Sequence, residues 1–493
     1  MRLLLLLGFI PAASFADAGV EPPTGPVAPP AEPIVEAPVG LPVPPPAPAP
    51  EQPQSAADVA NAPRPGTESG RLDPLDTGDG VMRVVGRGLL FIPRLPLELV
   101  FQPVRGVFYV QDRYNAAGVV AAWFTTEDKR IAIFPTALVE TGFGLNVGVR
   151  ASFKNMLGAG ERLNLRAGFG GRFRTIAEAK LTLGEKEKTP VSVGVLGRLE
   201  ARDQDRFFGY GNGDTVDAPG MLIDPTTDAT AVDTRYSVKT SRIVPFVRAR
   251  LPGNVALLAS AAITRDRTDN NVNANQLQID ELYDISRLPG FGKRDALYAE
   301  LEASWDTRRP ANRFDGQGMR GAGHLVSVFG GRYEGLADNT INFYRGGFDL
   351  QQFVALTQGP RALEFRVFAE AVTGPRDEIP FLELPRLGGQ RLLRGYNIDR
   401  FRDKVAAVGQ VGYLFSLSRY VAMTIFADVG RVYADVDALT WRDQRVGFGT
   451  ALEIYSSTGM VARAEIAGSA DGSVFAYLSL DPVFDTRART DRR

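Results

Sequence analysis

The residue types in this chain that could do chemistry point to charge recognition rather than to bond making. One histidine, His324, and no cysteine occur among 493 residues, which excludes a thiolate nucleophile, a disulfide framework and a thiolate metal site. His324 stands at a strand start beside a glycine-rich turn. No Gly-x-Ser-x-Gly elbow occurs, and the carboxylates show no spacing that singles out an acid/base pair. The sequence thus offers no catalytic, cofactor-binding or metal-binding residue, and the protein is not expected to be an enzyme. Two short motifs stand out instead. Arg394, Gly395 and Tyr396 close the run 387–396, which opens on Leu387, Gly388 and Gly389, and Asp428 lies later in the stretch Phe426-Ala427-Asp428-Val429-Gly430. A guanidinium fork can clamp a carboxylate through two parallel hydrogen bonds, and a glycine beside it permits a turn or a close approach that a Cβ would hinder.

The elements that carry these residues are legible from alternation, because successive side chains of a strand point to opposite faces. From Val421 one face reads Val421, Met423, Ile425, Ala427, Val429 and the other Ala422, Thr424, Phe426, Asp428, Gly430. A carboxylate turned to lipid near mid-bilayer would cost roughly a few kcal/mol, so Asp428 must face inward. Three more segments repeat the pattern. Leu363, Phe365, Val367 and Ala369 oppose Glu364, Arg366 and Glu370; Val446, Phe448, Leu452 and Ile454 oppose Arg445 and Glu453; Met460, Ala462, Ala464 and Ile466 oppose Arg463 and Glu465. The implied interior is polar and carries both signs of charge.

Such segments run from about Lys129 to Phe484 at roughly 22 residues per strand plus connection, the pattern of a transmembrane barrel. The expected fold is all-β, an antiparallel barrel of about sixteen strands over 128–484, among them 129–140, 190–201, 254–267, 361–373, 404–416, 419–435, 443–455, 459–469 and 473–484. Connection lengths agree with a periplasmic N-terminus. Long connections at 202–233, 268–293 and 374–403 fall outside, and short turns at 186–189, 252–253, 358–360 and 457–459 fall inside. The long inner connection at 307–322 is the exception. Outside this region no stretch offers the eighteen consecutive apolar residues of a membrane helix.

The N-terminus, Arg2 followed by apolar Leu3–Ile10 and small residues to Ala16, reads as a signal peptide over 1–16. Residues 17–77 read as a proline-rich, disordered periplasmic linker, a spacer or a ligand for a proline-binding groove. Prolines at 93, 96 and 103 cut 78–127 into short helical segments that plug the barrel mouth or rest on the membrane interface. A polar tail, 485–493, follows the terminal aromatic Phe484. A formal net charge of −1 gives no reason to expect nucleic acid.

The loop at 394–396 and the strand at 426–430 resemble the (L/V)RG(F/Y) and F-x-D-x-G motifs of the BamA/TamA-type outer-membrane assembly proteins, the bacterial surface antigen family. That resemblance implies that the loop folds back into the lumen and that Arg394 meets a wall carboxylate. Asp428 is the first choice, with Glu370 and Glu453 as alternatives. It also implies a bacterial outer-membrane location and a role in assembly, insertion or translocation of polypeptide. Partners would be outer-membrane lipids, unfolded outer-membrane or secreted polypeptides, and the barrel assembly machinery for the chain's own insertion. The α/β pattern of the family's periplasmic POTRA domains is missing ahead of the barrel, which keeps open a passive channel or surface antigen that retains the fold alone. Pro135 and Pro482 fall in the first and last strands and would each remove a ladder donor from the seam that closes the barrel; Pro245 in a middle strand tempers that reading. The stretch Phe207 to Asn212 resembles an aromatic-glycine-asparagine stretch of some family members, and is expected to be a tight turn beside membrane-interface aromatics. Trp305 and Trp441 mark such interfaces.

Overall fold

The alternating polarity is realised as strands from Ile131 to Ser479. The computed structural model describes residue 119 and residues 122–480, apart from 141–143, 159, 172–173, 185–188, 217–221, 226–230, 271–275, 310–320, 337–340, 357–360, 419 and 457–458. The expected signal segment, the proline-rich arm, Pro482, Phe484 and the tail 485–493 lie outside the described residues. So does the helical stretch 78–127 apart from 119 and 122–127, where residues 119, 122 and 123 are helical and Thr125 bridges Ala132.

In chain order the strands are β1 (Ile131–Glu140), β2 (Gly144–Lys154), β3 (Arg162–Phe169), β4 (Thr175–Leu183), β5 (Val191–Phe207), β6 (Thr234–Leu251), β7 (Val255–Asn270), β8 (Lys293–Asp306), β9 (Gly323–Gly335), β10 (Asn342–Ala355) and β11 (Arg361–Val372). A two-residue ladder follows, β12 (Arg386–Leu387) with β13 (Phe401–Arg402), and then β14 (Val405–Ser418), β15 (Val421–Tyr433), β16 (Arg445–Ser456), β17 (Gly459–Ser469) and β18 (Val474–Ser479). Every strand except β12 and β13 joins one closed antiparallel barrel of sixteen, each paired with its sequence neighbours and β1 closing on β18. Closure leaves no free edge, the condition for crossing a bilayer with strands. Among the described residues no helix is long and apolar enough to cross a membrane.

Two strands differ in length from expectation. β5 runs on to Phe207 and β7 to Asn270, because 202–207 and 265–270 carry charges on both faces and lose the apolar alternation while keeping the ladder. Across the β1–β18 seam Leu138 pairs with Ser479, Val139 with Leu478 and Glu140 with Tyr477. Ala137 turns its carbonyl to the amide of Leu480 at 2.9 Å. By the same parity Pro135 presents its missing N–H to that seam. Pro245 interrupts the β6–β7 ladder, which skips from Ile243 to Phe246, so a strand proline is not peculiar to the seam.

The interior is not uniformly polar. Leu196, Val244, Tyr298, Tyr333 and Phe343 on the inner faces of β5–β10 pack with loop residues Tyr210, Leu282, Tyr283 and Phe381 into one apolar core. This core sits toward the rim that bears the long loops, and the charged interior expected from alternation is realised as buried pairs around the wall, among them Asp266 with Arg294, Asp349 with Arg366, Asp428 with Arg394 and Glu453 with Arg463.

Candidate functional site

The connection 374–403 leaves β11 and turns back on itself. Within it Gly388 donates its amide to Leu392 at 2.8 Å and Gly389 to Tyr396 at 3.1 Å, while β12 and β13 pair beside them. Leu387, Leu392, Leu393, Tyr396 and Phe401 pack on Phe368, Ala406, Val408 and Val432, the inner faces of β11, β14 and β15. Each leucine buried this way contributes about 2 kcal/mol. Packing of this kind brings the tip to the wall and fixes its direction.

At the tip Arg394 meets Asp428. Its backbone amide and Nε donate to Asp428 Oδ2 at 2.9 and 2.7 Å, and Nη2 donates to Oδ1 at 2.5 Å. Both carboxylate oxygens are engaged. The guanidinium carbon lies 3.4 Å from the centre of the Phe426 ring, so the fork is gripped at its edge and covered on one face. Asp428 is 0% exposed and Arg394 6%. Burial works against the charged guanidinium, but the charge and hydrogen bonds of Asp428 outweigh it and hold the Arg394 pKa above its ordinary value. Removing either partner would strand the other charge in a dry site.

Glycines make room for this contact. Gly395 has φ +87°, and a Cβ there would sit 2.4 Å from the Gly468 carbonyl. On β16, a Cβ at Gly447 would lie 1.8 Å from the Arg394 carbonyl, and one at Gly449 would meet Phe426 Cζ at 2.8 Å. Gly430 is less tight, with Ala407 O at 3.0 Å. Tyr396 completes the tip by donating its hydroxyl to the Val446 carbonyl at 3.2 Å.

Glu370 and Glu453 belong to other pairs. Arg345 holds Glu370 at 3.3 Å. Glu453 accepts from Arg463 and, at 2.5 Å, from the Tyr455 hydroxyl, and Arg463 also reaches Glu465 at 2.6 Å. The cluster of Arg463 with Glu453 and Glu465 lies next to the Arg394 contact.

Sequence reasoning misplaced the stretch Phe207 to Asn212. Phe207, Phe208 and Tyr210 are buried rather than turned to a membrane interface. Loop packing explains the difference, since the Arg402 guanidinium lies over both the Phe207 and Phe381 rings, at 5.4 and 5.3 Å. The Gly211 amide donates to Arg402 O at 2.9 Å. Asn212 donates to Val432 O at 2.7 Å and accepts from Val432 N at 3.0 Å, capping β15 just beyond the end of its ladder with β16. Arg400 reaches Gly213 O at 2.6 Å, and burial together with Arg445 lowers its pKa to about 10. This outer loop therefore clamps the connection that carries Arg394. Gly447 and Gly449 were also missed, although two inward glycines spaced by two on one strand were there to be read.

Trp441 is 93% exposed on an outer loop, and Trp305 lies on the outer face at the opposite rim, stacked edge-on with His324 at 4.1 Å. Among the described residues no three His, Cys, Asp or Glu side chains come together as a metal site.

The model of the Omp85 superfamily domain matches residues 155–465. No curated protein sequence matches the chain. The solved structures similar to it include BamA from Haemophilus ducreyi lacking POTRA domains 1–3, at 14% identity and TM-score 0.50, covering 71% of this chain and 69% of that one. CdiB from Acinetobacter baumannii is 8% identical and CdiB from Escherichia coli 12%, both at TM-score 0.44; 71% of this chain is covered in each, against 59% and 62% of theirs. At these identities the likeness is one of fold.

Proposed function

Because the chain belongs to the Omp85 superfamily, we propose that it acts in the outer membrane as an assembly or translocation factor, handling unfolded polypeptide through the seam between β1 and β18. The observation that carries the reading is that β1 and β18 close the barrel, with Pro135 turning the place of its missing N–H toward β18. Each ladder donor that is missing weakens a strand pair, and the closing pair is the one whose parting opens the wall. An edge exposed by opening presents unpaired amides and carbonyls, the template on which an incoming strand can add.

The Arg394 lock fits this role as a brace. It ties the connection after β11 to β15 and, through Gly447, to β16, so the wall beside the seam stays ordered while β18 parts from β1. The proposed role is non-enzymatic, and residues 17–77 serve it as a periplasmic spacer.

Photo-crosslinking groups placed in turn along β1 and β18 test the proposal. An unfolded barrel client should be captured at Val139 and Leu478 and not at Val328 on β9. Equal capture at all three positions, or none, would rule the seam out as the working surface.

A further inference from the structure

Outward faces of β6, β7 and β8 are apolar up to a sharp limit. On β7 the outward series is Leu257, Ala259, Ala261, Ile263 and then Arg265, Arg267 and Asp269; on β8, descending, Lys293 and Asp295 precede Leu297, Ala299, Leu301, Ala303 and Trp305. Ten residues separate Val255 from Arg265, and ten separate Asp295 from Trp305. At about 3.3 Å per residue and a tilt near 40° this is about 25 Å of height, the thickness of a barrel's apolar band. Arg265 and Asp295 therefore mark its edge on the long-loop side, which faces the exterior in outer-membrane barrels.

One step above that edge, register brings three cations side by side. Lys239 on β6 is opposite Arg267 on β7, and Arg267 is opposite Lys293 on β8. With strands about 4.8 Å apart, the three charges start within about 10 Å of one another. Like charges directly opposite in a sheet destabilise it, so the row calls for an anion. The neighbouring carboxylates supply it only in part. Asp295 is gripped by Arg265 through hydrogen bonds of 2.7 and 3.0 Å, and Asp269 comes no nearer to Arg267 than 3.8 Å. Lys293 feels Asp295 without a salt-bridge contact to it, and Lys239 makes no salt bridge among the described residues.

Below the row the wall is hollowed. Gly197, Leu199, Ser241, Ile243 and Ile263 border a depression of about 690 Å³ that reaches Arg265. A Cβ at Gly197 would meet nothing nearer than the Ala179 carbonyl at 4.0 Å. An apolar hollow under a cationic rim at headgroup height has the chemistry of a phosphorylated lipid, with its acyl chain below and its phosphate above.

We propose that this outer wall is a binding site for an anionic, phosphorylated glycolipid of the outer leaflet, with Lys239, Arg267 and Lys293 as its phosphate ligands. The site is separate from the lumen lock and from the seam, and does not depend on the assembly reading.

The probe is lipid A, a bisphosphorylated acylated disaccharide, titrated into the full-length protein in neutral detergent and followed by native mass spectrometry. Lys239→Gln/Arg267→Gln/Lys293→Gln should bind it at least tenfold more weakly than the parent, with Lys239→Gln/Lys293→Gln intermediate. Heat-modifiable gel mobility confirms that each barrel is folded. Dephosphorylated lipid A should bind the parent as weakly as intact lipid A binds the triple variant. Equal lipid A binding by the parent and both variants would overturn the proposal. Displacement of lipid A by an equal concentration of inorganic pyrophosphate would also overturn it, by showing a phosphate site indifferent to lipid.

Discussion

Arg394→Ala is the perturbation that probes the lumen lock most sharply. It leaves Asp428, fully buried and hydrogen-bonded through both oxygens, with only the backbone amide of residue 394 for a donor. Breaking a buried ion pair by deleting one partner costs about 3–5 kcal/mol. Loss of the stack on Phe426 adds about 1 kcal/mol or more. The barrel need not unfold to relieve this, because undocking the 387–396 turn lets water reach the carboxylate. A shift of about 4 kcal/mol raises the undocked population by about a thousandfold.

Hydrogen exchange reads that population directly, since protected amides exchange through local opening. In the parent, the amides of Gly388, Gly389 and Arg394 are hydrogen-bonded inside the lumen. Exchange over 387–396 in Arg394→Ala should be faster by two to three orders of magnitude, about the factor just given, while β5–β8 keep their protection. Arg394→Lys should fall between the two, because an ammonium keeps the charge but cannot make the two-pronged contact. Unchanged protection of 387–396 in Arg394→Ala would refute the reasoning, since it would mean that packing of Leu392 and Leu393 holds the loop without the ion pair.

Two further substitutions test the surroundings of the lock. Gly447→Val places side-chain atoms where the Arg394 carbonyl lies, 1.8 Å from the Cβ position, and should expel the loop as fully as Arg394→Ala; Gly330→Ala, with only a carbonyl at 4.0 Å, should leave loop exchange and thermal midpoint unchanged. Asn212→Ala removes both hydrogen bonds to Val432 and should lower stability by about 1–3 kcal/mol, seen as faster proteolysis of the 208–233 loop.

The phase of the barrel was legible because errors of phase are expensive. Shifting the 421–435 strand by one residue would turn Asp428 to lipid and Ile425 and Val429 inward, so only one reading survives. The ends of β5 and β7 were not legible. Above the membrane both faces of a strand may be polar, and residues such as Arg202, Asp205, Arg265 and Asp266 carry no alternation to follow. For the lock, the residue types were visible and the pairing came from resemblance, since Asp428, Glu370 and Glu453 share the same parity. Only the packing of Leu392 and Leu393 on β11, β14 and β15 decides among them. Gly447 was opaque because a glycine's meaning depends on what approaches it, here a backbone some fifty residues away in sequence. Phe207, Phe208 and Tyr210 look alike in sequence whether they face headgroups or the arginines of another loop.

The most direct measurement is a reversible seam lock. Cysteines at Leu138 and Ser479 occupy paired positions of β1 and β18, and directly opposed residues of an antiparallel ladder are about 4.5–5.5 Å apart at Cα, within disulfide range; the chain has no other cysteine. In cells carrying the double variant, oxidation should sharply reduce the levels of client outer-membrane or exported proteins, and reduction should restore them. Client levels that stay undiminished with the disulfide fully formed would contradict a working seam.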